Sequence, residues 1–173
     1  MKRRTLLKHA GVGSLALVAA SNTLGTTALA SGKIRFAFGA AAVADSGRFV
    51  GDVALLDGSG KFGGDDAEGG GRLTHFHPAT GAVVATASWR AKKLTSFVQS
   101  GSALGTHLAG LATLEIEVRP DNGGEIAATL RISCHLPGRP DPALPEGIDI
   151  TSAAVGHFRA FPGTSTLFAR AED

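Results

Sequence analysis

Beyond residue 31 the apolar residues recur at every second position, in short runs that each end at a cluster of Gly, Pro, Asp or Asn. A period of two sends successive side chains to opposite faces of an extended strand, so this spacing predicts antiparallel strands joined by turns and leaves no helical stripe. Ile34, Phe36 and Phe38 alternate with Lys33, Arg35 and Ala37, and Leu114, Ile116 and Val118 alternate with Thr113, Glu115, Glu117 and Arg119. In 126–135 the residues Ile126, Ala128, Leu130, Ile132 and Cys134 share one side. The segment Arg119-Pro120-Asp121-Asn122-Gly123-Gly124 between the last two runs is a strong turn signal and predicts a hairpin. Shorter runs at 48–56, 72–77, 82–90, 94–98, 148–152, 157–161 and 165–169 bring the expectation to nine or ten strands.

Many short strands with Gly-rich turns and no helix between them predict an all-β fold, either a small antiparallel β-barrel or a two-sheet β-sandwich. The run of sequential hairpins favours the barrel, and by pattern it loosely resembles calycin and allene-oxide-cyclase-like small barrels. Residues 31–173 form one domain's worth of chain. The solitary Cys134 excludes an intrachain disulfide, and its register with Leu130 and Ile132 predicts a buried, inert thiol. Two segments read as loops. The stretch 57–71, with seven glycines and four acids, is expected to be mobile; 137–147, with four prolines, is expected to be a stiff surface crossover.

The first thirty residues read differently. Lys2-Arg3-Arg4-Thr5-Leu6-Leu7-Lys8 resembles the twin-arginine translocation signature, a weakly apolar stretch follows from Ala10 to Ala20, and Ala28-Leu29-Ala30 has the small-x-small form of a cleavage site. That resemblance implies a leader over 1–30, the twin-arginine export machinery as a partner, and a periplasmic or extracellular destination. It also alters the charge argument. The leader holds four of the 17 basic residues and no acid, so 13 remain against 15 acidic ones in the rest of the chain. Without a basic stripe or any Tyr for base stacking, no nucleic acid is expected as a partner. No apolar run after the leader is long enough for a stable membrane span.

The candidate chemistry is sparse. Thr74-His75-Phe76-His77 places two imidazoles two residues apart on one strand face, within reach of a shared transition metal. This His-x-His resembles the opening of a cupin metal site, although Pro78 follows directly and no acid appears before Trp89. His107, His135 and His157 are the histidines available to complete such a site. Asp57, Ser59, Asp65, Asp66 and Glu68 are oxygen donors among glycines, but Lys61 interrupts them and their spacing fails the EF-hand pattern, so calcium is the lesser reading. Glu115 and Glu117 belong to a solvated face. No Gly-x-Ser-x-Gly elbow or phosphate loop is present.

Phe36, Phe38, Phe97 and Trp89 lie on apolar strand faces, where they either fill a core or line a cavity for an apolar ligand. The expected function is therefore binding of a small apolar molecule at a barrel mouth framed by 57–71. The alternatives are a metal-dependent, cupin-like enzyme using His75 and His77, and a secreted interaction protein without a ligand.

Overall fold

The computed structural model describes residues 33–103, 105–136, 138, 145–161 and 164–171; the leader expected over 1–30 and most of the proline-rich segment lie outside the described residues. Nine strands make up the described chain, and all belong to one antiparallel sheet. They are β1 (Ile34–Ala44), β2 (Val53–Gly63), β3 (Asp66–His77), β4 (Ala82–Ala103), β5 (His107–Pro120), β6 (Ile126–Cys134), β7 (Gly147–Ser152), β8 (Gly156–Ala160) and β9 (Ser165–Arg170). Among the described residues no helix is long and apolar enough to cross a membrane.

Pairing follows chain order from β1 to β8, and β8 then returns to β1, where Ala42, Val43 and Ala44 face Ala160, Arg159 and Phe158. Eight strands thus pair in a ring. The remaining length of the same β1 edge is taken by β9, with Phe36 opposite Phe168, and the end of β9 also meets the start of β5. Such closure leaves few unpaired strand edges, the usual liability of a sheet.

The period-two pattern is what sorts side chains between the two faces of this ring. Along β1, Ile34, Phe36, Phe38, Ala40, Ala42 and Ala44 are all buried, and the residues between them are exposed or half-buried. The predicted 119–124 hairpin forms, pairing Val118 with Ile126. Cys134 lies on the buried face beside Ile132, as its register required, and its thiol donates to the Thr166 carbonyl oxygen at 3.3 Å. The outer face carries charge: Lys61 pairs with Glu68, Arg72 with Asp121, and Lys92 and Arg119 with Glu117.

Three expectations need correction. The runs at 82–90 and 94–98 are one 22-residue strand, bent at irregularities after Ala91, Leu94 and Gln99 rather than interrupted by a turn. Residues 48–52 form a turn, so the second strand begins at Val53. The largest change concerns 57–71, which is not a loop but most of a paired hairpin, with Gly63 opposite Asp66 and Gly58 opposite Gly71. Its tip is tied to β4 by the Leu94 amide, which donates to the Asp65 carbonyl oxygen at 3.0 Å.

The glycines of this hairpin serve packing. A Cβ on Gly58 would stand 2.1 Å from Cζ2 of Trp89, and one on Gly60 would stand 2.7 Å from Cζ of Phe36. Removing side chains there admits the large aromatic rings opposite. The oxygen donors that suggested calcium are spread along the hairpin, with Glu68 held by Lys61 and an Asp57 carboxylate oxygen accepting from the Arg72 amide.

Candidate functional site: an apolar cavity with a buried imidazole–carboxylate pair

Four turns gather at one end of the ring: 45–52 after β1, 78–81 after β3, 121–125 after β5 and 153–155 after β7. Beneath them is a cavity of about 270 Å³. Small side chains make the space, for Ala54, Ala85, Ala87 and Ala128 come from three different strands, β2, β4 and β6, and face inward. Its walls are completed by Leu73, Val118, Ile126, Ile150 and Phe158. The exposed turn residues Arg48 and Asn122 also line it, so the cavity reaches solvent at this end. A volume of this size suits one small ring system, since an apolar cavity of about 150 Å³ already accepts benzene.

Two buried polar residues line this apolar surface. Ser152 has its hydroxyl occupied, donating to the Ala127 carbonyl oxygen at 3.0 Å and accepting from the Ala154 amide. His75 is 6% exposed, and its Nε2 lies 2.8 Å from Oδ2 of Asp52. The other carboxylate oxygen of Asp52 lies 3.1 Å from Nδ1 of His77, whose side chain is 54% exposed at the rim. The His75 ring is gripped edge-on by Phe49 and Phe158, with centroids at 4.6 and 5.6 Å and interplanar angles of 81° and 90°. Arg48 lies over Phe49 at 4.5 Å.

Local sequence explains this arrangement. His75 and His77 are two apart on β3 and point the same way, one deeper than the other, as the spacing predicts. Asp52 ends the turn from β1 to β2. Its amide donates to the Phe49 carbonyl oxygen, and its own carbonyl oxygen accepts from Ala44, so the turn backbone delivers the carboxylate between the two rings. Gly51, at φ 91°, supplies the left-handed step just before it. Asp52 carried no signal of its own in the sequence: an Asp after Gly reads as an ordinary turn residue, and its partner is 23 residues away.

The two imidazoles are thus brought together, but as hydrogen-bond partners of one carboxylate. Among the described residues no group of three or more His, Cys, Asp or Glu side chains is disposed to hold a metal ion. His107 begins β5 and His135 follows β6, both at the opposite end of the ring, and His157 pairs on the outside with Asp45 at 2.8 Å.

Phe36, Phe38, Phe97 and Trp89 do not line this cavity. They pack with Phe62 and Phe168 towards the other end, Phe38 stacking on Trp89 at 5.7 Å and Phe97 meeting Phe168 edge-on at 5.4 Å. Trp89 satisfies its indole N–H on the Asp57 carbonyl oxygen at 2.9 Å. Nor does 57–71 frame the cavity, because the tip of that hairpin lies at the aromatic end. No protein-family model, curated protein or solved structure matches the chain, so the cavity and its imidazole–carboxylate pair are what the reading of function rests on.

Proposed function

We propose that the chain is an exported small antiparallel β-barrel that binds one small, largely apolar molecule in the cavity at its mouth. Pairing of β1 with both β2 and β8 supports the barrel reading. The observation that carries the function is the alanine-lined hollow: a protein interior is ordinarily packed like an organic crystal, and here three strands present four methyl groups where larger side chains would fill the space. A mostly apolar concavity with few polar groups is the general form of a small-molecule site. Export rests on the Arg3-Arg4 pair of the leader, whose replacement by Lys at both positions should block translocation, because Lys lacks the planar guanidinium fork.

Thermal shift against small aromatic, quinone and terpenoid compounds tests the binding reading. A ligand at one hundred times its Kd should stabilise the protein by about 2.7 kcal/mol. Ala128→Phe, which puts a ring into the hollow, should remove that shift. The reading fails if no compound of this class stabilises the protein, or if the filled variant binds as well as the parent.

A further inference from the structure

We propose that the cavity is also an acid–base catalytic site in which His75 Nδ1 is the general base, acting on an apolar substrate with an acidic C–H or O–H; this rests on the ligand-binding reading of the same cavity. The ionised carboxylate of Asp52 only accepts hydrogen bonds, so Nε2 at 2.8 Å carries the proton and donates it. That tautomer leaves a lone pair on Nδ1. Among the described residues Nδ1 makes no hydrogen bond, and His75 lines the cavity. Asp52 is the positioning residue: it fixes the tautomer and offsets the imidazolium that forms when Nδ1 takes a proton. His77 steadies Asp52 from the rim through the second oxygen.

A purely structural pair, tying the 45–52 turn to β3, would account for the contact between His75 and Asp52. It would not account for an apolar hollow beside the ring, or for two aromatic edges that fix the ring without a hydrogen bond to its other nitrogen. The substrate class follows from the surroundings. The walls accept a mono- or bicyclic apolar body, His75 is the uncommitted polar group within, and Arg48 at the rim puts a cation where a leaving group that becomes an anion would emerge.

A suitable probe is 5-nitrobenzisoxazole. His75 Nδ1 takes the proton from the ring C–H, the C–H electron pair becomes the second π bond of a nitrile, and the N–O bond breaks with its pair on oxygen. The product is 2-cyano-4-nitrophenolate, and the imidazolium returns its proton to water. Turnover by the purified protein should exceed that of free imidazole at equal concentration by about 10²-fold or more.

In His75→Gln the amide still donates to Asp52 but has no basic lone pair, so turnover should fall to background while the probe still stabilises the protein in a thermal shift. Asp52→Asn should lower kcat about tenfold or more with KM unchanged, a split that a merely structural role does not produce. Ala128→Phe, with the pair intact and the hollow filled, should also abolish turnover. Saturable binding without turnover above imidazole overturns the catalytic inference and leaves the binding reading standing; absence of binding overturns both. Undiminished turnover in His75→Gln or in Ala128→Phe overturns the catalytic assignment.

Discussion

The two ends of the ring are built from the same strands, yet among the described residues aromatic rings fill the interior of one, the solid end, and alanines line a hollow at the other. At the solid end Phe36, Phe38, Phe62, Trp89, Phe97 and Phe168 meet one another, and glycines at 58 and 60 make room for two of the rings. At the hollow end β2 and β4, the strands carrying Gly58 and Trp89, present Ala54, Ala85 and Ala87 instead, with Ala128 across from them on β6. Interior volume is therefore set by which residue sizes face one another, not by strand number. Large facing nothing packs; small facing small leaves space.

The largest effect should come from emptying the solid end. Phe168 is fully buried between Phe62 and Phe97, and Phe168→Ala should cost about 3–5 kcal/mol in denaturant unfolding, through lost burial and a residual cavity. A cost under about 1 kcal/mol would mean that this end is as loosely filled as the other.

Enlarging side chains should then separate the two ends in the opposite sense. Gly58→Ala adds one methyl against Trp89 and should destabilise by about 1–3 kcal/mol. Ala128→Phe adds a whole ring at the hollow end and should change stability by no more than about 1 kcal/mol, or raise it. If the larger substitution proved the costlier one, the cavity would not be the open space described.

Cys134 belongs to the solid interior, and burial pushes its thiol above the ordinary value, with a hydrogen bond to Thr166 acting the other way. A thiol reagent should label it only after unfolding. Because the folded state holds the proton more tightly, stability should be unaffected well below the ordinary thiol pKa, fall as pH passes it, and stop falling beyond the folded-state value. Cys134→Ala should lack that alkaline fall and cost about 1 kcal/mol at neutral pH. Rapid labelling of the native protein would contradict this packing.

The smallest effect lies on the outer surface near the hollow end. The carboxyl of Asp121 is held below the usual carboxylate range, first by the Thr86 hydroxyl and then by Arg72. A lowered folded-state pKa contributes stability that is present at neutral pH and lost as pH falls through the carboxylate range. Asp121→Asn should therefore lower the midpoint of unfolding slightly at pH 7 and flatten its acid dependence. Both ends of the comparison would remain as they are, because exposed ion pairs contribute little.

Sequence periodicity by itself determined that the chain is all-β, which face of β1, β5 and β6 is buried, where the 119–124 hairpin turns, and that Cys134 points inward. Those properties are local: a period of two fixes the face, and a Pro-Asp-Asn-Gly-Gly run fixes the reversal. Tertiary structure decided the rest. Glycine content made 57–71 read as a loop, because backbone freedom is visible in a sequence whereas the Trp89 and Phe36 rings that require those glycines come from other strands. The choice between core and cavity for Phe36, Phe38, Phe97 and Trp89 likewise turned on what stands opposite them across the ring. The pairing of Asp52 with His75 has no sequence signature, since a hydrogen bond between a turn and a strand 23 residues away exists only once β2 and β3 are in register and the turn backbone has aimed the carboxylate between the two imidazoles.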